Sequence, residues 1–364
     1  MKKLEAHQKG DIWMVFQNGL SSINVTTFTG LGKLRYLSLD NNKLVYNNRT
    51  FPKGIFKPLK SLLHLSLKNN NYYLPYSRYF PDETISDLSD LETLELDATS
   101  NSFGKGFDKL LKLKSLVLGN GYHFSMSSTT FINTRNLQSI LLHGNEDVSF
   151  TKGSFRSLRY LKHLEMSFDS RFSGISSPVE NIAEDLKFTS IETLKLGQSQ
   201  IPFKTFPLYV LNKELFTTNI TEIYITDNAG KAGYFPPYIG YPPPTLQILD
   251  LSNNGLIRFH LDIKNITRLI LKQNLLGSFL STNPYFTQIT RNDSSIIKFV
   301  DISQNDIKEL EPVTFYHQPF LQHVDLSNNK IQDITFDLSS LTALEFLNLS
   351  YNKIKFLMKE LCVL

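Results

Sequence analysis

Two stretches near the C-terminal end of the chain share one alternation of apolar and polar positions. Residues 321–331 read LQHVDLSNNKI, and residues 344–354 read LEFLNLSYNKI. In both, places 1, 4 and 6 are apolar, and the places between them are mostly polar. This period of two predicts a short strand with one buried face, followed by a polar turn.

The same pattern, L-x-x-L-x-L-x-x-N, recurs along the whole chain. Consecutive copies start 20 to 31 residues apart, which is the period of leucine-rich repeats and is too short for helical repeats. Fourteen repeats cover the chain from residue 10 to its end. Eight copies are complete and six are looser; they start at Gly10, Leu34, Leu62, Leu91, Leu113, Leu137, Leu161, Ile191, Ile220, Leu246, Ile266, Ile297, Leu321 and Leu344.

Each repeat supplies one strand, and its apolar face can be buried only against the repeats on either side. The sequence therefore predicts an α/β repeat solenoid, a leucine-rich repeat horseshoe. A concave parallel β-sheet would face an irregular or short-helical convex side. We expect a single domain over residues 1–364, with about fourteen repeats and no cap at either end.

An asparagine at place 9 stands where the chain turns off each predicted strand. Its amide can both donate to and accept from backbone groups of adjoining turns, which would otherwise be buried without partners. These asparagines form a predicted ladder along the array, and the ladder is interrupted at Thr99, Gly121, Asp169 and Ser199, which occupy place 9 instead. Its members are Asn18, Asn42, Asn70, Asn145, Asn228, Asn254, Asn274, Asn305, Asn329 and Asn352.

A phenylalanine lies six residues before the first apolar residue of several repeats. We expect these rings to stack along the outer side of the coil. The surrounding segments TFTGLGKL, IFKPLKSL and SFRSLRYL are similar to the repeats of animal extracellular proteins. The predicted spine consists of Phe28, Phe56, Phe107, Phe131, Phe155 and Phe315.

The uneven repeat lengths, the asparagine ladder, the phenylalanine spine and the irregular middle together resemble the ectodomain of a Toll-like receptor. The resemblance implies a receptor of innate immunity that binds a microbial or endogenous ligand. It further implies homo- or heterodimers of ectodomains, and a place in the extracellular space or endosomal lumen as part of a single-pass membrane receptor. The alternative is an extracellular adhesion or matrix protein that mediates protein–protein interaction.

Several parts of that family are missing from the sequence as given. No apolar core of a secretory signal follows the early lysines, and no run of 18 apolar residues could form a spanning helix. The sole cysteine is Cys362, so the cysteine-rich caps are also missing. The chain is therefore expected to be an incomplete piece of a longer receptor.

Charge is informative only locally, because the net charge is +4. Residues 82–97 carry seven acids and no base, whereas residues 101–163 carry nine bases and three acids. The basic stretch could neutralise the phosphates of a nucleic acid, or it could simply be a solvated outer face. The candidate ligand-binding residues are Lys114, Arg156, Arg159, Lys162 and His163.

Histidines also fall on the predicted concave side, at place 3 of their repeats: His64, His163 and His323. Their protonation could strengthen binding in an acidic compartment, but they are too far apart along the array to form one cluster. Scattered surface histidines are the alternative.

Six Asn-x-Ser/Thr sequons are candidates for glycosylation if the chain is exported. Asn348 projects from a strand and is the least favourable of them. The other five are Asn24, Asn48, Asn219, Asn265 and Asn292.

Motifs for catalysis are missing. The sequence has no metal-ligand cluster, phosphate loop or Gly-x-Ser-x-Gly, and the Ser-x-x-Lys matches at 327–330 and 350–353 arise from the repeat consensus. We therefore predict a protein that is not an enzyme and holds no metal or cofactor.

Overall fold

The computed structural model describes residues 10–70, 80–98, 102–119, 125–145, 148–168, 178–197, 207–228, 241–282, 295–339 and 341–356. It divides the chain into two compact units, residues 1–164 and residues 165–364. We call them unit 1 and unit 2. That all repeats form a single domain stays a prediction.

Unit 1 is built on a parallel sheet with one strand per repeat. Strands occupy the same place in every repeat, and each residue faces the residue at the same place of the next strand, as Tyr36 faces His64. The strands are β1 (Ile12–Met14), β2 (Tyr36–Ser38), β3 (His64–Ser66), β4 (Thr93–Asp97), β5 (Ser115–Gly119) and β7 (Ser139–Asn145). The division between the units falls within β9 (His163–Phe168).

Unit 2 repeats this plan with the same register, so that Asp301 faces Asp325 at place 5. Its strands are β10 (Thr193–Gly197), β11 (Glu222–Thr226), β12 (Ile248–Asp250), β13 (Arg268–Ile270), β14 (Phe299–Asp301), β15 (His323–Asp325) and β16 (Phe346–Asn348).

The core of each unit is an apolar column formed by places 1, 4 and 6. In the second repeat these are Leu34, Leu37 and Leu39, all buried. Because a single repeat has nothing else to bury this face against, neighbouring repeats must stack. The predicted leucine-rich repeat solenoid, with its parallel sheet, is confirmed.

The side opposite the sheet is irregular, with short helices. These are α1 (Asp82–Ile85), α2 (Pro178–Leu186), α3 (Pro207–Leu215), α4 (Gly277–Thr282) and a 3-10 helix, Lys105–Lys109. Two further strands, β6 (Ser125–Met126) and β8 (Ser149–Phe150), pair in parallel in unit 1. The 3-10 helix packs tightly on α1: a Cβ atom on Gly106 would lie 1.8 Å from the backbone oxygen of Asp82, so this contact requires glycine.

The place-9 asparagines of unit 2 join each repeat to the one before it. The Nδ2 of Asn305 donates to the carbonyl of Ile302 in its own repeat and to that of Leu271 in the preceding repeat, at 3.2 and 2.9 Å. Its Oδ1 accepts the backbone N–H of Leu276 at 3.2 Å. Bridges of this kind also start from Asn254, Asn274, Asn329 and Asn352, whereas Asn228 donates to Thr226 and to Asn254 Oδ1.

In unit 1, Asn42 and Asn70 make the same bridges, while the side chain of Asn18 donates to the carbonyl of Phe16 in its own repeat. The next repeat has Thr99 at place 9, and the buried carboxylate of Asp97 instead accepts the backbone N–H groups of residues 69 and 70, at 2.7 and 2.8 Å. The side chain of Asn145 and the lapses at residues 99, 121, 169 and 199 lie outside what the structure describes.

The residue before the ladder asparagine is left-handed in both units. Its φ lies between 53° and 61°, a region that favours Gly, Asn and Asp. Most of these residues are Asn, Asp or Gln, but Tyr351 adopts the same conformation, with a φ of 58°. The residues at this place are Gln17, Asn41, Asn69, Gly144, Asp227, Asn253, Gln273, Gln304, Asn328 and Tyr351.

The spine phenylalanines are all buried, but they form separate groups of rings. Phe28 stacks on Phe56, and Phe131 stacks on Phe155, with centroids 5.9 and 5.8 Å apart. Phe103 takes the stacking position on Phe131, and Phe107 meets Phe103 at 65°. In unit 2, Phe315 meets Phe336 edge-on, at 79°. The expectation of stacking is therefore wrong for Phe107, because Phe103 occupies the stacking position on Phe131. That all six rings form one row stays a prediction.

Replacing Asn305 by alanine should lower the free energy of unfolding by about 1 to 3 kcal/mol, because buried backbone groups lose their partners. The measurement is urea denaturation followed by far-UV circular dichroism, since the sole tryptophan, Trp13, lies in unit 1. Asn18→Ala is the control and should change the value by less than about 0.5 kcal/mol. Equal losses in the two variants would contradict a bridging role.

Replacing Tyr351 by asparagine should raise the stability by about 1 kcal/mol, because asparagine tolerates the left-handed backbone and a bulky ring does not. The melting temperature checks this. Phe356→Asn removes another exposed ring at a residue whose φ is not positive, and it should give no gain. A gain of equal size in that control would indicate a general effect of removing surface rings.

Candidate functional site

The open face of each sheet is the side away from the apolar core. It carries the side chains at places 3, 5 and 7 of every repeat. Because the register has no offset, equal places of successive repeats form columns across the strands. The contacts on this face are therefore set by residues 20 to 31 positions apart in the chain.

At place 3 of strands β13–β16, four side chains stack one on another: Arg268, Phe299, His323 and Phe346. We call them the stacked row. The guanidinium carbon of Arg268 lies 3.6 Å from the Phe299 ring centroid, a cation–π contact. The Phe299 and His323 centroids are 4.2 Å apart, and the His323 and Phe346 centroids are 4.1 Å apart, with rings within 14° of parallel.

Two carboxylates stand in the column next to the stacked row, at place 5. Asp301 and Asp325 face each other across strands β14 and β15. The Oδ1 of Asp301 accepts the backbone N–H and the hydroxyl of Ser303, at 2.9 and 2.6 Å. Asp325 accepts the backbone N–H of Ser327 through Oδ1 and the side chain of Asn348 through Oδ2. Two like charges thus stand side by side next to the stacked row.

His323 belongs to the stacked row and adjoins the place-5 carboxylates, so its charge state depends on both. Burial lowers its pKa, and the positive charge of Arg268 lowers it further, while Asp325 and Asp301 act in the opposite direction. Because the net shift is downward, protonation of His323 requires a lower pH than for an exposed histidine. With His323 neutral, the row consists of an uncharged imidazole between Phe299 and Phe346, and Arg268 is its one cation.

The open face of unit 1 carries a different group of residues around Glu95. His64 stacks on Tyr36 with centroids 4.3 Å apart, and its Nε2 lies 3.1 Å from a carboxylate oxygen of Glu95. Lys68 forms an ion pair with the other oxygen. Burial opposes ionisation of Glu95, but its contacts with His64 and Lys68 prevail and lower its pKa to about 2. Burial and nearby carboxylates, chiefly Glu95, raise the pKa of Tyr36.

The two faces therefore differ in how their charges are matched. In unit 1 the carboxylate of Glu95 is balanced by Lys68 within the same cluster. In unit 2, within the part of the chain that the structure describes, no carboxylate lies within ion-pair distance of Arg268. The guanidinium edge of this exposed residue can bind an acceptor from outside the chain.

The residues predicted to bind ligand are distributed over two sides of their repeats. Lys114 is exposed at place 2, just before β5, and Lys162 is half-buried at the same place before β9. His163 is exposed on the open face as the first residue of β9. Arg156 and Arg159 are exposed on the outer segment that leads to that strand. Their role as ligand contacts stays a prediction.

Most of the predicted glycosylation sites are accessible. Asn24, Asn48 and Asn219 are exposed, and Asn265 is half-buried, with its Nδ2 3.3 Å from the carbonyl of Pro244. Asn292 lies outside the described residues. Asn348 lies on the open face, where it donates to Asp325 at 3.1 Å.

Reading repeats one at a time identified His323 as a residue of the open face, but it missed Arg268, Phe299 and Phe346. All of them occupy place 3 of consecutive repeats. Aligning the repeats and reading down that column would have indicated a row of stacking side chains.

The described residues contain no group of three or more His, Cys, Asp or Glu side chains that could hold a metal ion. None of their helices is both long and apolar enough to cross a membrane.

Comparison with known proteins gives relatives over much of the chain. The leucine rich repeat family profile matches residues 297–354. A Toll-like receptor 4 of Pinctada imbricata is 28% identical over 243 residues, which is 65% of this chain and 26% of that protein. A transforming growth factor beta activator, LRRC33, of Danio rerio is 24% identical over 320 residues, 86% of this chain and 40% of that protein. The chain thus spans less than half the length of these curated relatives.

Among solved structures, the crystal structure of a TLR13–ssRNA13 complex is similar in fold. It matches with a TM-score of 0.61 and 22% identity, covering 94% of this chain and 47% of that one. The sequence relatives and this structural neighbour agree with the repeat pattern and the parallel sheets. The chain therefore has the leucine-rich repeat fold, and its array is similar to Toll-like receptor ectodomains.

Proposed function

We propose that the chain is a ligand-binding part of an innate-immune receptor ectodomain and that it binds ligand on the open face of unit 2. The stacked row is the observation that carries this proposal. Phe346 is 44% exposed although it belongs to a strand, and Arg268 is exposed at the opposite end of the row. Exposed aromatic and arginine side chains held in place by their neighbours are typical of the centre of a binding surface.

The row is also preorganised. Each ring is fixed by the ring on the adjacent strand, so little side-chain entropy remains to be lost on binding. The unit 1 cluster is less suited to this role, because its charged groups already bind one another. A ligand would have to replace those contacts before it gained any of its own.

The remaining parts of the proposal follow from the likeness to Toll-like receptors. The ligand is microbial or endogenous, and binding brings two ectodomains together for signalling. The ectodomain lies outside the cell or in the endosomal lumen, as part of a single-pass membrane protein. Such a protein acts by binding and not by catalysis.

A second candidate function is that of an extracellular protein that binds another protein without an immune role. The similarity to the LRRC33 activator, over 86% of this chain, favours it. The same open face would then receive a protein ligand. Binding of transforming growth factor beta and of none of the microbial molecules would support this alternative.

The test is surface plasmon resonance of the full chain against bacterial lipopeptide, lipopolysaccharide and single-stranded RNA. We expect at least one of them to bind, and Phe346→Ala to weaken that binding about tenfold or more, because one side of the stacked row is lost. Analytical ultracentrifugation with the bound molecule should show a dimer.

Phe320→Ala is the matched control, because Phe320 is 50% exposed but lies before strand β15 and outside the row. It should leave the affinity unchanged. If no member of the panel binds, or if both variants lose affinity equally, the proposal is wrong.

A further inference from the structure

A second surface lies in unit 1, on the outer segments that lead into strands β5, β7 and β9. These segments, residues 107–112, 131–136 and 155–160, occupy equal places in three consecutive repeats. Their first and fourth residues are buried against the core. Of the other residues, all but the half-buried Asn133 and Ser157 are exposed, and they form a surface that we call the basic flank.

The charge of the basic flank is strongly one-sided. Its three segments contain five bases and one acid, Asp108. The corresponding segments of unit 2 at residues 185–190, 214–219, 260–265 and 315–320 contain two bases and three acids. The bases of the flank are Lys109, Lys112, Arg135, Arg156 and Arg159, and all of them are exposed.

Some of these cations are held in place. Lys112 donates to Asp90 at 2.8 Å, and the Nε of Arg135 donates to the carbonyl of Ile132 at 2.8 Å. The second contact leaves the terminal amino groups of the guanidinium for a partner. Fixed arginines suit carboxylates, which they bind through two parallel hydrogen bonds.

Apolar side chains are exposed among these charges. Leu111 is 71% exposed, Tyr160 is 59% exposed and Ile132 is 40% exposed. Beside Leu111 is a cleft of about 180 Å³, whose lining includes Phe107, Leu113 and Asn136. The Nδ2 of Asn136 donates to the carbonyl of Leu111 at 3.2 Å, which ties the two walls together.

The basic flank is also free of sequons. No Asn-x-Ser/Thr occurs between residues 49 and 218, so no N-linked glycan can be attached to these segments. In unit 2, by contrast, Asn219 and Asn265 stand at the last place of the equivalent segments. A surface that lacks glycan sites and exposes apolar groups is suited to protein contact.

We infer that the basic flank is a docking surface for an acidic segment of a protein partner. Carboxylates of the partner pair with Arg135 and Arg159, and one of its apolar side chains occupies the cleft beside Leu111. The apolar composition favours protein over nucleic acid, because single strands are held by stacking on aromatic rings. Of the three exposed apolar side chains, Leu111 and Ile132 offer no such ring, and Tyr160 alone supplies one. This surface is separate from the stacked row and goes beyond the proposed function.

The experiment measures binding of the full chain to a synthetic peptide in which Asp and Glu alternate with Leu and Phe. A peptide with Lys in place of the acids and an oligothymidylate are the comparison probes. We expect the acidic peptide to bind and the Lys peptide not to bind. The affinity should fall when salt is raised from about 50 to about 200 mM, since exposed charges are screened.

Two variants locate the site. Arg135→Glu combined with Arg159→Glu should weaken binding at least about tenfold, because the attraction becomes repulsion. Leu111→Ser leaves the charge unchanged and should weaken it about fivefold, through loss of apolar contact. Lys57→Glu combined with Lys60→Glu makes the same charge change at exposed positions on the outer segment of the second repeat, and it should have little effect.

Three results would overturn the inference: no binding of the acidic peptide, equal losses in the two charge-reversal pairs, or tighter binding of oligothymidylate that the Arg135 and Arg159 changes abolish. The last would make the flank a nucleic-acid surface. Phe346→Ala should leave peptide binding intact, so failure here is distinguishable from failure of the proposed function. Circular dichroism of each variant confirms that the exposed substitutions leave the fold unchanged.

Discussion

The bridge between the place-9 asparagine and the backbone of the preceding repeat is the interaction on which the other features depend. A chain that leaves a strand after a few residues takes backbone N–H and C=O groups into the interior, where water cannot reach them. One amide group supplies the missing partners on both sides, as Asn305 does for Leu271 and Leu276. The contact also fixes how far one repeat is displaced from the next. Equal places then stand opposite each other, and every column on the open face follows from that register.

The ladder also explains a conformational demand that the motif alone does not express. To direct the asparagine inward, the residue before it must adopt a positive φ, and it does so in ten repeats. The sequence shows Asn, Asp or Gln at most of these places, which reads at first as ordinary loop polarity. Where the asparagine is missing, another buried acceptor is needed, and Asp97 occupies that role two places earlier. The need for an acceptor follows from the sequence; the residue that supplies it does not.

The sequence could predict the contacts that recur in every repeat, but not those that differ from repeat to repeat. Contacts within one repeat, or between equal places of the core, recur with the motif. The strands, the buried leucines and the parallel sheet can therefore be predicted from a single sequence. Contacts on the open face do not repeat, because each place-3 residue differs from its neighbours. His323 reads as an isolated surface histidine until Phe299 and Phe346 are placed on either side of it. The outer segments vary in length, so ring contacts there, such as that of Phe107 with Phe103, could not be assigned from spacing.

The contrast between the two open faces follows from the charges that each register brings together. In unit 1, the register sets His64 and Lys68 beside Glu95, and a carboxylate between two donors is stabilised in its ionised form. In unit 2, the register sets Asp301 beside Asp325, so two negative charges are adjacent. It also sets Arg268 on the aromatic ring of Phe299 instead of beside a carboxylate. Adjacent like charges destabilise a sheet, and an exposed stacked arginine keeps most of its hydrogen-bonding capacity. A ligand with a cation near Asp301 and Asp325 would reduce the repulsion between them, and an anionic group on it would pair with Arg268. For that reason we propose the face of strands β13–β16, and not the cluster around Glu95, as the ligand-binding surface.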